Sequence, residues 1–201
     1  MKPIYRLLNN LLFIVLLLSI GVAERNTTVL DSISMALHPE GGVQIEATLD
    51  QNQDDNSWTD YITVEIIDSN KFIFIGTDQI IKVNNDTIFT FKPNTNQIVI
   101  DHYYRDEFNL LSLISGNLYQ VQLGEVQKRI IDTIVNFTIP HIESRGKIWI
   151  NSKTYNPIRI LLEDDIGNSS TISIDTIEPL GYQPQYNDCN LSGWEIIDLR
   201  E

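Results

Sequence analysis

The chain has 201 residues, is 42% hydrophobic with 10 Gly and 7 Pro, and sets 27 acidic against 14 basic residues for a net charge of −13. That length and apolar content suit one folded domain with a sizeable core and exclude a disordered chain. The acidic balance excludes nucleic acid as a partner and argues against peripheral adhesion to anionic lipid headgroups, since both carry negative charge.

In chain order, Lys2 and Arg6 precede the apolar run from Leu11 to Leu18 and the small-residue stretch from Ser19 to Ala23. That order is a secretory signal peptide over 1–23, cleaved after Ala23, and it leaves one domain over 24–201. The apolar run is shorter than a spanning helix needs. The lone cysteine, Cys189, cannot form an internal disulfide. The leader is followed by Glu24 and Arg25, so the lipidation cysteine of a bacterial lipoprotein is absent.

A short helix is predicted from Thr28 to Leu37, ended by Pro39-Glu40-Gly41-Gly42. Period-two strands follow. Val43, Ile45, Ala47 and Leu49 alternate with polar residues, and Trp58, Ile62, Val64 and Ile66 share one face of the next run, with Asp60 as an exception. Ser69-Asn70-Lys71 turns the chain into Phe72 and Phe74. Gln79–Val83 leads through Asn84-Asn85-Asp86 into DTIFTFKPNTNQIVI, residues 86–100. With the turn at Pro93–Asn96, Lys92 pairs with Gln97, so Phe91 faces Ile98 and Phe89 faces Ile100 on one side.

Asp106–Ser115 reads as a helix stopped by Gly116-Asn117. Phe108, Leu110, Leu111, Leu113 and Ile114 cover most of its circumference, so it must be covered on several sides. Its expected place is over the mouth or concave face of a sheet. Further strands are predicted at Leu118–Leu123, Ile130–Ile139, Lys147–Asn151, Ile158–Glu163 and Thr171–Ile177, with a last short one at Trp194–Leu199. The fold class is mostly β (α+β): an open antiparallel barrel or strongly curved sheet with a helical lid.

No catalytic constellation emerges. His38, His102 and His141 stand far apart and outside any two-histidine metal spacing, and no nucleophile elbow, phosphate-binding glycine loop or zinc motif is present. Neither enzyme activity nor a cofactor or metal is expected, and apolar volume is the informative feature.

From about Gly42 to Pro179 the chain resembles the family of the periplasmic outer-membrane lipoprotein carrier LolA. The motifs that carry this resemblance are GVQIEATLDQ, the strand start Lys71-Phe72, the hairpin Phe89-Thr90-Phe91-Lys92-Pro93 with Asn96-Gln97, the leucine-rich NLLSLISGN, and YNPIRILLEDDIGNSSTISI with its Asp-x-Gly-Asn turn. The resemblance implies an open barrel whose hydrophobic cavity holds the acyl chains of lipoproteins on their way across the periplasm. It implies no covalent chemistry. The lining would be Trp58, Ile62, Val64, Phe72, Phe74, Phe89, Phe91, Ile98 and Ile100, and the lid Phe108, Leu111 and Ile114.

The implied partners are acylated lipoproteins, an inner-membrane lipoprotein-releasing transporter and an outer-membrane acceptor, served by a monomer. Family members carry Arg-Pro before the Lys-Phe strand start, where this chain has Ser69-Asn70. Lys71 is then the residue for release or partner contact, without arginine's bidentate fork. The alternative is a periplasmic sensor or adaptor on the same scaffold that binds a protein partner.

Overall fold

The computed structural model describes residues 29, 31–54, 56–104, 113–116, 118, 120–182 and 192–200. A helix over 31–37, α1, is followed by the turn through Pro39–Gly42, in which the Gly42 amide donates to the Pro39 carbonyl at 3.0 Å. The first meander is β1 (Val43–Gln53), β2 (Asn56–Asp68), β3 (Lys71–Ile75), β4 (Ile80–Asn84), β5 (Thr87–Lys92) and β6 (Gln97–His102). The second is β7 (Gln122–Lys128), β8 (Asp132–Ile139), β9 (Ser144–Asn151), β10 (Pro157–Glu163) and β11 (Ser169–Pro179), and β12 (Glu195–Asp198) closes the chain.

All twelve strands form one curved sheet in the order β12-β6-β5-β4-β3-β2-β1-β11-β10-β9-β8-β7. Neighbours pair antiparallel except β12, which lies parallel to β6. Edges β7 and β12 do not meet, so the barrel stays open. The mostly-β, open-barrel expectation therefore holds.

The order puts β6 beside one edge and β7 at the other, so the link 103–121 must carry the chain from one side of the sheet to the other. Its described apolar residues Tyr103, Leu113, Ile114, Leu118 and Val121 are buried in one core with Ile33 and Leu37 of α1. Val43, Ile45, Ile62, Val64, Ile66, Phe72, Ile148, Ile160 and Ile172 complete that core on the concave face. This strap and α1 are thus the cover of the sheet. Leu113 and Ile114 are helical, in the segment where a helix is predicted; Phe108 and Leu111 lie outside the described residues.

Two strand predictions need correction. Leu118–Leu123 is not one strand: the Val121 amide donates to the Leu118 carbonyl at 3.1 Å, a turn that sends both side chains into the core, and β7 begins at Gln122. Most of β7 is exposed and it bulges between Leu123 and Val126, which hides any period of two. Ile130–Ile139 is also too long. Ile130 and Ile131 form the loop of the β7–β8 hairpin, where the Arg129 amide donates to the Asp132 carbonyl at 2.8 Å. β-branched residues imitate a strand even in a loop.

Candidate functional site

Strand pairing fixes which side chains share the concave face, because directly opposed residues point the same way. Through the register, Ile45 of β1 leads to Val64, then Phe74 and Ile81, while Val43 leads to Ile66, Phe72, Val83 and Ile88. Across β11 the same face continues as Ile172, Ile160, Ile148 and Val135. The lining is aliphatic along nearly every strand. It is also filled: Ile66, Phe72, Val83, Val135 and Ile172 are 0% exposed, so no water-sized void touches them.

A histidine joins the two parts of the cover. His38 at the end of α1 approaches the Ser115 carbonyl through Nε2 at 2.7 Å and the Ser34 hydroxyl through Nδ1 at 3.3 Å. With Nε2 protonated, the ring donates to Ser115 and accepts from Ser34, linking α1 to the strap.

At the end of the sheet near the β1–β2 turn, an open pocket of about 250 Å³ is lined by Trp58, Leu162, Gln51, Asn52, Ser169, Ser170 and Asp164, among others. The Trp58 indole donates to Gln51 Oε1 at 3.0 Å, which leaves its ring face on the pocket wall. Nearby, Asp60 accepts the Thr77 amide at 3.2 Å, which accounts for an acidic residue on an apolar face. Among the described residues no three His, Cys, Asp or Glu side chains gather as a metal site, and no helix is long and apolar enough to cross a membrane.

No protein-family model and no curated protein matches the chain. Solved structures do. A LolA superfamily protein from Nitrosomonas europaea superposes with a TM-score of 0.50 at 11% identity, over 78% of this chain and 94% of that one. The fold is LolA-like. An uncharacterized conserved protein from Thermus thermophilus superposes with a TM-score of 0.59 at 9% identity, over 87% of this chain and 99% of that one.

On this LolA-like sheet the nine residues expected to line one cavity divide between two faces. Ile62, Val64, Phe72 and Phe74 are buried on the concave face, Phe72 edge-on to Tyr103 with ring centroids 5.8 Å apart, and Trp58 stands at its rim. Phe89, Phe91, Ile98 and Ile100 pair as expected, Phe91 with Ile98 and Phe89 with Ile100, but on the outer face. The Asn85-Asp86 turn places Asn84 opposite Thr87 and Val83 opposite Ile88, so Ile88, not Phe89, shares a face with Phe72. That two-residue turn is the sequence signal that sets the parity. The outer cluster is covered locally: Trp194 sits edge-on to Phe91 at 5.9 Å, and Ile196 of β12 pairs with Ile98.

Two charged residues carry no sign of burial in the sequence. Lys82 and Glu65 are buried on that outer face, Lys82 between Ile73 and Phe89, and Glu65 opposite Ile73. Lys71 starts β3 on the same outer face, half-buried.

The Tyr182 hydroxyl donates to the Glu65 carboxylate, tying the segment after β11 to the back of β2. That hydrogen bond first, then desolvation and the carboxylate's charge, push the phenol up to about 12. A raised folded pKa means the contact stabilises fully below the unfolded value of 10.0 and is lost as pH rises through the folded one. Tyr182→Phe is therefore expected to lower stability at neutral pH and to converge with the parent above that range. Urea unfolding at a series of alkaline pH values checks this, and a constant difference across the range would contradict it.

Proposed function

We propose that the chain is an exported acyl-chain-binding protein that carries acylated lipoproteins through the periplasm. It would take them from an inner-membrane releasing transporter and deliver them towards the outer membrane. The observation that carries this reading is the open LolA-like sheet, whose concave face is aliphatic along both halves and covered by α1 and the strap rather than by a second sheet. Each acyl methylene withdrawn from water is worth about 0.8 kcal/mol, so a binder needs apolar surface and a movable cover but no chemistry. In this closed form Ile33, Leu37, Leu113 and Ile114 occupy the surface that acyl chains would take. Ile62, Val64, Phe72 and Phe74 then meet the chains, with Trp58 at the mouth. The leader over 1–23 would direct export, and residues 24–201 would form the single carrier domain.

Native mass spectrometry of the exported protein mixed with a triacylated lipoprotein tests this. A one-to-one complex that is lost with the deacylated lipoprotein is the expected result. No bound lipid or lipoprotein, where a known carrier binds under the same conditions, would overturn it.

A further inference from the structure

The least buried large apolar side chains of the described residues stand together. Ile130 is 99% exposed and its neighbour Ile131 is 78% exposed, at the tip of the β7–β8 hairpin. Hairpin tips ordinarily carry Gly, Asn, Asp, Ser or Pro, whose backbone freedom or side-chain hydrogen bonds suit a turn. Two adjacent isoleucines do neither. The next hairpin tip, residues 151–156, is joined to this one: the Ser152 amide donates to the Ile131 carbonyl at 3.3 Å. There Tyr155 is held at φ 61, a conformation a bulky residue rarely adopts, while its amide donates to the Asn151 carbonyl at 3.0 Å. The residue stays 41% exposed.

The charge around these residues reverses that of the molecule. Segments 128–132 and 151–156 hold Lys128, Arg129 and Lys153 against Asp132 alone, in a chain of net charge −13. The three cations are exposed, and neither ion pair found among the described residues involves them.

We infer that this double tip docks the protein on an anionic bilayer surface. Ile130 and Ile131 enter the acyl boundary, Tyr155 lies at headgroup depth with its apolar ring inward, and Lys128, Arg129 and Lys153 meet the lipid phosphates. The acidity of the rest of the surface does not prevent this, because charges farther off than the Debye length of about 8 Å at physiological salt are largely screened. The register sets the tip at the end of the sheet opposite Trp58, so docking is separable from the mouth of the concave face.

The test is flotation of the exported protein with vesicles of phosphatidylethanolamine and phosphatidylglycerol, beside vesicles of phosphatidylcholine alone. Wild type is expected to float with the anionic vesicles at physiological salt, at least ten-fold more weakly with the neutral ones, and to be released as salt rises further. Ile130→Ser with Ile131→Ser, and separately Lys128→Gln with Arg129→Gln and Lys153→Gln, are each expected to lower the bound fraction about ten-fold. All five side chains are exposed, so unchanged thermal unfolding accompanies the loss. Capture of a triacylated lipoprotein in solution stays at the wild-type level in both variants, whether or not the carrier reading holds. Wild type that fails to float, or a serine variant that floats like wild type, overturns the inference. Binding only to a membrane protein reconstituted in those vesicles, and not to the lipid, does so as well.

Discussion

Phe72→Ala is expected to cost about 3–5 kcal/mol, the range for a large aromatic removed from a rigid core. Phe72 has no exposed surface, stands between Ile66 and Val83 across the strands, and meets Tyr103 edge-on where the strap begins. Ile66 and Val83 are held by strand pairing, and the Tyr103 amide donates to the Asp86 carbonyl at 2.7 Å, so none of the three collapses into the space. Phe91→Ala is the contrast. Its ring is half-buried on the outer face against Trp194 and Phe89, so its loss is expected to cost less than half as much. Chemical denaturation of the two variants measures both. Equal costs would mean that Phe91 belongs to the principal core, contrary to the register. The Phe72 variant should also take up a small apolar fluorophore more readily, since the vacancy lies between the concave face and its cover.

What the sequence discloses follows the range of the interactions involved. The Phe91–Ile98 and Phe89–Ile100 pairs were legible because a four-residue turn fixes them, and Asn96 at φ 52 closes that turn as an asparagine readily does. The face those pairs occupy depends on the preceding Asn85-Asp86 turn and on β12, which returns from ninety-odd residues later to shield them. On β5 and β6 the outer face, with Phe89, Phe91, Ile98 and Ile100, is more apolar than the inward one, where Ile88 and Val99 stand opposite Asp101 and Thr90, so alternation alone points to the outer face as the core. The concave site was half legible for the same reason: Ile62, Val64, Phe72 and Phe74 lie on strongly alternating strands, whereas Phe137, Ile148, Ile160 and Ile172 join them only through the distant β1–β11 pairing. The strap's place was inferable from its breadth of apolar residues, which no single sheet face could cover. The tip at Ile130 and Ile131 reads as a strand because β-branched residues are typical of strands and uncommon at hairpin tips.

Gly42→Ala is expected to be the most damaging of the glycine substitutions near the cover. Gly42 has φ 83, and a Cβ there would stand 2.4 Å from the Ile66 carbonyl oxygen and 2.8 Å from Leu180 Cδ1. The left-handed backbone costs a non-glycine residue about 1–2 kcal/mol, and crowding against a fixed backbone oxygen adds about 1–3 kcal/mol. The lower entropy of the unfolded alanine chain offsets about 0.4–1 kcal/mol of this, equally at Gly41 and Gly42, and is outweighed at Gly42. Gly41 separates these effects: its φ is 89, but nothing lies within 4 Å of its would-be Cβ. Gly41→Ala should therefore show the backbone cost alone, and the difference between the two variants reads the close approach. Gly42 also accepts the Leu180 amide at 3.1 Å, so it fixes how α1 arrives over the sheet from one side and how β11 leaves from the other. Displacing it lifts Ile33 and Leu37 from Val43 and Ile66, opening the apolar face that acyl chains would occupy. Under conditions where both variants remain folded, Gly42→Ala should bind an apolar fluorophore more strongly than the parent while Gly41→Ala does not. Equal binding by the two would mean that α1 is not the part of the cover that Gly42 holds in place.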